Sequence, residues 1–325
     1  MHKYLRMNKK HSTVGVIGLG LIGGSMALDL KRRGFAARVI GVEADPVAAE
    51  AARTIGLVDE VVSYEDCVAQ ADIVVVAVPV GTAVKMIPDI LTRFQKGAEA
   101  VSGAFARTGS RSDAEEMASA TSGSAGVPWA EKIVIDVCST KSQICHAAQY
   151  HPRRGQFVST HPMAGTEYSG PWAAQPGLFD GRACIFANTE DSHPKAVKVI
   201  EELYGVLNMR PLYMNADQHD VHTAYVSHIS HVTSFALALT VLDKEKDEKH
   251  IFDLASGGFS STVRLAKSNA DMWVPILTQN RDNVLHVMDT YIGKMEEFRD
   301  AVANYDEARI RELIEQANRI KKILR

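Results

Sequence analysis

Short apolar runs alternate with longer amphipathic segments through about the first two thirds of the chain. Thr13 to Ile17, Arg38 to Val42, Asp72 to Val78, Ile133 to Val137, Phe157 to Thr160, Arg182 to Asn188 and Pro211 to Met214 read as strands. Gly24 to Arg33, Pro46 to Ile55, Gly81 to Phe94, the stretch up to Tyr150 and Pro194 to Leu207 read as helices. The run DIVVVAV is nearly all apolar, as expected of a parallel strand covered on both faces. Strands alternating with helices predict an α/β fold with a doubly wound parallel sheet. Strands stop near Asn215, and from Asp217 onward the pattern is helical. The expected domains are therefore 12–215 and an all-α 216–325. At about 97–131 the pattern breaks into an Ala-, Ser- and Gly-rich insertion, expected to be partly helical around Asp113 to Ala118 or partly disordered.

The first strand runs directly into Gly18-Leu-Gly20-Leu21-Ile22-Gly23, with a helix behind it. That is the dinucleotide fingerprint of a Rossmann-type domain in its full context. The first glycine makes the tight turn, the second lets backbone approach a pyrophosphate, and the third lets helix and strand pack closely. The pyrophosphate would sit on the helix N-terminus, where unpaired N–H groups favour negative charge. Glu43 ends the second strand, placed to accept hydrogen bonds from the adenosine ribose. With no Arg behind it, this residue favours NAD over NADP. Val78 and Pro79 close the third predicted strand, where the nicotinamide half should pass.

Composition narrows the function. At 325 residues and 46% hydrophobic, the chain can bury a proper core in two domains. A net charge of -3 supplies no basic field for nucleic acid or an anionic membrane. No run reads as a membrane span, and the start, MHKYLRMNKK, does not read as a secretory signal. Met7 is an alternative start. Cys67, Cys138, Cys145 and Cys184 form no CxxC pair and no zinc spacing, so they read as small buried hydrophobes of a reduced, cytoplasmic protein, with no metal expected.

Candidate chemistry centres on STHPMAGTEYSG at 159–170. His161 reads as a loop histidine after a strand, suited to proton transfer because its ordinary pKa of about 6.5 lies near working pH. The stretch DQHDVHTAYVSHISHVTSFALALTVL reads as one long, largely buried helix. Asp220, Ala224, Ser227 and His231 follow helical spacing on one face of it. His231 is a functional candidate, whereas His219 and His222 read as capping, packing or solvent-facing residues. After a Gly-rich break, Arg264 reads as a helical arginine, on the surface or as a fork for a carboxylate, with Trp273 beyond it.

These motifs occur together and in order: GLGLIGGS at 18–25, DVCSTK at 136–141, HPMAGTEYSG at 161–170, HDVHTAYVSHISH at 219–231 and GGFSSTVRLAKSNADMW at 257–273. By them the chain resembles the prephenate/arogenate dehydrogenases, from about Val14 to Asn283 apart from the insertion at 97–131. Cys138 and Ser230 stand where glycine and proline are common in the family. The resemblance implies NAD-dependent oxidative decarboxylation of prephenate to 4-hydroxyphenylpyruvate in tyrosine biosynthesis. Arogenate is the alternative substrate, and a two-domain 3-hydroxy acid dehydrogenase the alternative enzyme. It implies His161 as the base and Ser139 hydrogen-bonded to the substrate hydroxyl or to His161. It further implies Arg264 on a substrate carboxylate, His231 near the substrate, and Thr166, Glu167 and Trp273 as lining residues. A homodimer through the helical domain is the expected assembly.

Overall fold

The computed structural model describes residues 13–108, 132–248 and 250–323. Eight strands form one sheet in the order β3-β2-β1-β4-β5-β6-β7-β8. They are β1 Thr13–Ile17, β2 Arg38–Val42, β3 Glu60–Val61, β4 Ile73–Val76, β5 Ile133–Asp136, β6 Phe157–Pro162, β7 Ala183–Ala187 and β8 Arg210–Met214. From β3 to β6 every neighbour pair is parallel. β7 pairs antiparallel with β6 and parallel with β8. The sheet is therefore mostly parallel, as expected of a doubly wound fold, with one antiparallel pair at this edge. The cause is connectivity: no long helix lies between β6 and β7 to carry the chain back, so it returns antiparallel through the loop after His161.

Helices cover both faces of the sheet. They are α1 Leu21–Arg32, α2 Pro46–Ile55, α3 Tyr64–Gln70, α4 Val80–Thr108, α5 Ser142–Ala148 and α6 Pro194–Val206. Two buried apolar clusters result. One joins α1 and α6 to the sheet through Met26, Leu30, Ile200 and Leu203. The other joins α3, α4 and α5 through Val68, Ile87, Leu91 and Ile144. All four cysteines are buried and unpaired, as expected of small core hydrophobes. α4 continues past residue 97, so the first part of the expected insertion is helix. Its alanines and few glycines favour that continuation. Asp113 to Ala118 lies outside the described residues.

The remaining helices are α7 Ala216–Thr223, α8 Ile229–Asp247, α9 Gly257–Thr262, α10 Ala270–Gln279, α11 Arg281–Ala303 and α12 Glu307–Ala317. The expected single helix at 217–242 is interrupted by a π-helical turn at Ala224–His228. The run Ala216–Lys246 is nevertheless 31 residues long and, by length and composition, apolar enough to cross a membrane, which corrects the sequence reading. In this molecule it is tied to the sheet domain: Lys141 N donates to Asp220 Oδ1 at 2.7 Å and Ser142 N to Asp220 Oδ2 at 2.9 Å. Its other face leaves Val226, Leu239 and Leu242 exposed.

Candidate active site

The glycine turn is built for two different purposes. Gly18 has φ +92°, and a Cβ there would stand 2.5 Å from Ala77 O. A Cβ on Gly23 would collide with Gly18 O. Both positions need glycine for the fold itself. Gly20 does not, because a Cβ there meets only Gly170 N, at 4.0 Å. It is the N-cap of α1, whose first turn carries no acidic side chain. That leaves an open, electropositive approach to the helix N-terminus, a cradle that fits a dinucleotide pyrophosphate. Glu43 is fixed beside it. Its Oε2 accepts from Leu19 N at 2.9 Å, and its Oε1 from Ala44 N at 2.9 Å and Asp45 N at 3.2 Å.

A cavity of about 810 Å³ runs from this turn to the helical domain. Its walls include Gly20, Leu21 and Ile22, then Val78 and Pro79, Ser139, His161, Thr166 and Glu167, and across from them His231, Arg264 and Trp273. The structure thus brings every sequence-predicted site residue to one cavity except Gly18, Gly23 and Glu43, which shape the turn behind it.

His161 lies within β6 and not on a loop. The strand continues because β7 pairs with it at His161↔Ile185 and Pro162↔Cys184. Beneath it is a fully buried polar group. Lys141 Nζ is paired with Asp136 and donates to Thr160 O at 2.6 Å. Asp136 also accepts from Ser159 Oγ at 2.9 Å and Cys138 N at 3.0 Å. Burial works against the Lys141 charge, but Asp136 outweighs it and the pKa is raised. This pair joins the ends of β5 and β6, which carry Ser139 and His161. Nothing in the sequence marked Lys141 except its place in DVCSTK.

His161 Nδ1 is 2.8 Å from His219 Nε2, and His219 Nδ1 is 2.8 Å from Asp220 Oδ1. His219 is buried here, so it does not face solvent, and its packing places it against His161. Periodicity could not reveal it, since its partner arrives from a distant strand. His161 and Ser139 share no hydrogen bond; Ser139 stands free on the same wall among the described residues. Burial, helped by His219, Lys141 and His228, holds His161 well below the ordinary histidine range. The imidazole is neutral at pH 7 and its acid form is strongly disfavoured.

The π-helical turn adds a residue to the helix register, so Ser227, His228 and His231 all line the cavity while Ala224 is buried. His231 stacks on Trp273, with centroids 3.6 Å apart and planes at 26°. Its Nδ1–H donates to Ser227 O at 3.0 Å, leaving Nε2 as the free ring nitrogen. His228 Nδ1 is 3.1 Å from Asn280 Nδ2. The Trp273 indole N–H is buried without a partner. Arg264 sits in a short 3-10 turn, Arg264–Lys267, and not on a helix proper. It is no free fork: Nη1 donates to Glu167 Oε2 at 2.7 Å. A substrate carboxylate must share or replace that partner.

Fold and cavity together define a dinucleotide-binding α/β protein with a helical second domain closing over a histidine. Residues 26–101 and 127–211 match the family model described as "Prephenate dehydrogenase, nucleotide-binding domain". Residues 215–316 match "Prephenate dehydrogenase, dimerization domain". The chain belongs to the prephenate dehydrogenase family. It is 30% identical to the prephenate dehydrogenase of Bacillus subtilis (strain 168), over 92% of this chain and 72% of that one. It is 25% identical to the cyclohexadienyl dehydrogenase of Zymomonas mobilis, over 90% of this chain and 89% of that one. Among solved structures it resembles prephenate dehydrogenase from Aquifex aeolicus in complex with hydroxyphenyl propionate and NAD+, with a TM-score of 0.76, 24% identity and 99% of both chains covered. It also resembles Synechocystis arogenate dehydrogenase, with a TM-score of 0.68, 25% identity, and 95% of this chain and 99% of that one covered.

Proposed function

We propose that this enzyme oxidises prephenate with NAD and releases CO2, giving 4-hydroxyphenylpyruvate for tyrosine biosynthesis in the cytoplasm. The observation that carries the mechanism is a neutral His161 beside Ser139, in one cavity with the α1 N-terminus and Arg264. The Gly20 turn and Glu43 would hold NAD, with Val78 and Pro79 toward its nicotinamide half, and the cofactor would supply the hydride acceptor. Thr166 and Trp273 help to enclose the substrate. His161 accepts the C4 hydroxyl proton as the C4 hydride leaves. The C1 carboxylate departs as CO2, its electron pair aromatises the ring, and the proton returns to the phenolic oxygen. A positioned base of this kind contributes on the order of 10²–10⁴ in rate. Ser139 hydrogen-bonds to the reacting hydroxyl, and Arg264 and His231 meet the anionic substrate.

Arogenate is the second reading. Glu167 favours it, because a carboxylate on the cavity wall can pair with the side-chain ammonium. Formation of reduced nicotinamide from prephenate and from arogenate, each with NAD and with NADP, tests both readings. Turnover of prephenate with NAD is expected, and failure of all four combinations would refute the proposal. The partner is a second copy of this chain, seated on the helical domain. Exposed Leu239, Leu242, Met295 and Val302 support this. Light scattering should give twice 35.5 kDa, and a monomeric mass would refute it.

A further inference from the structure

We propose that His219 and Asp220 act as a positioning pair that fixes the tautomer of His161, leaving its Nε2 bare toward the cavity. The inference rests on the reading of His161 as the base and extends it to residues of the helical domain. Asp220 is buried, and it accepts from Lys141 N, Ser142 N and His219. Burial opposes its charge, but these donors outweigh burial and its pKa is lowered. An ionised carboxylate can only accept, so His219 Nδ1 must carry the proton that fills the 2.8 Å gap to Oδ1. A neutral His219 then presents a lone pair at Nε2. The 2.8 Å separation from His161 Nδ1 is a hydrogen bond only if His161 donates, so its proton sits on Nδ1. The remaining nitrogen of His161, Nε2, is the one free to take a proton.

The same chain of bonds supports the base once it is loaded. When His161 gains a proton at Nε2, its Nδ1–H bond to His219 becomes charge-assisted, and Asp220 lies one ring further on. The other charged or titratable groups facing this cluster are Lys141, Asp136 and His228. Lys141 is paired with Asp136, and His228 Nδ1 is engaged by Asn280, so neither supplies the missing acceptor for His161. The base thus sits on the sheet, while its protonation pattern is set by α7. Activity therefore depends on the helical domain lying against the end of β6.

Asp220→Asn tests the pair. The asparagine amide can donate to His219 Nδ1, which reverses both tautomers: His219 Nε2–H then donates to His161 Nδ1, and the His161 proton moves to Nε2. Expected is a loss in kcat of about 10²–10⁴, with KM for prephenate and for NAD within about threefold. His219→Gln should lose less than His219→Ala, because its amide oxygen can still accept from His161 Nδ1–H. The acid limb of the pH profile should move in His219→Ala and not in a remote surface variant. Imidazole 15N NMR of the wild-type protein, which needs neither turnover nor a foldable variant, should show His161 protonated at Nδ1 only. A proton on Nε2 in that spectrum, or full kcat in a folded Asp220→Asn, would overturn the proposal. Absence of wild-type turnover would instead count against the functional reading, and the spectrum would still decide the tautomer.

Discussion

Gly20→Ala separates what the glycine turn does for the fold from what it does for the cofactor. At Gly18, alanine would have to adopt φ +92° with its Cβ 2.5 Å from Ala77 O. Such backbone strain costs on the order of 1–3 kcal/mol before the collision is counted. At Gly20 the backbone has φ -74°, which any residue adopts, and the nearest atom to a new Cβ is 4.0 Å away. The cost is then the difference between glycine and alanine at an N-cap, about 1 kcal/mol or less. In a protein of this size that lowers Tm by about 2–4 °C. The added methyl instead fills the space through which the α1 N-terminus meets the pyrophosphate. We expect NAD affinity to fall by about 10–100-fold, or about 1.4–2.7 kcal/mol. Thermal melting without cofactor and calorimetric titration with NAD measure the two effects separately. The reasoning fails if Gly20→Ala binds NAD normally, or if it melts as early as Gly18→Ala.

Lys141→Ala strands a buried Asp136 charge, so stability should drop by about 3–5 kcal/mol in denaturant unfolding; a loss under about 1 kcal/mol would show that the pair does not lock β5 to β6. Arg264→Ala should raise KM for prephenate by about 10–100-fold with kcat less affected, and Arg264→Lys should recover only part of it, because an ammonium lacks the planar fork. Burial pulls His228 down to about 4, so the unfolded chain binds a proton that the folded protein refuses. Stability is therefore full above about pH 6.5 and is lost as pH falls toward 4, by up to about 3 kcal/mol from this residue. Melting followed from pH 7 to 4.5 should show the fall, and His228→Asn should make it shallower, the remainder coming from His161, whose pKa burial also lowers.

The sheet and the cofactor turn were legible because strands buried on both faces leave apolar runs and because φ +92° demands glycine. β3 was missed: it is two residues long, Glu60 and Val61, and carries no apolar run. The reversal at β7 was not readable from strand composition, since direction depends on the connection. Within the site, His161, His231 and Arg264 carried a signal in their motifs. His219 opens the motif HDVHTAYVSHISH, but nothing in it set His219 apart from His222, because its contact is a 2.8 Å approach to a strand 58 positions away. The π-helical turn altered the simple spacing only in part: Ser227 and His231 share the cavity as the spacing implied, whereas His228 joins them and Ala224 is buried. The Arg264–Glu167 pair was invisible in the sequence for the same reason, as the two residues lie 97 positions apart.

The account stands most directly on His161 as the base. His161→Asn keeps a polar side chain of similar reach but cannot take the substrate proton. Steady-state kinetics of this variant with prephenate and NAD, beside NAD binding and thermal melting, is the decisive measurement. The account predicts a fall in kcat on the order of 10²–10⁴ with NAD binding and melting unchanged. A kcat within a few-fold of wild type would contradict it.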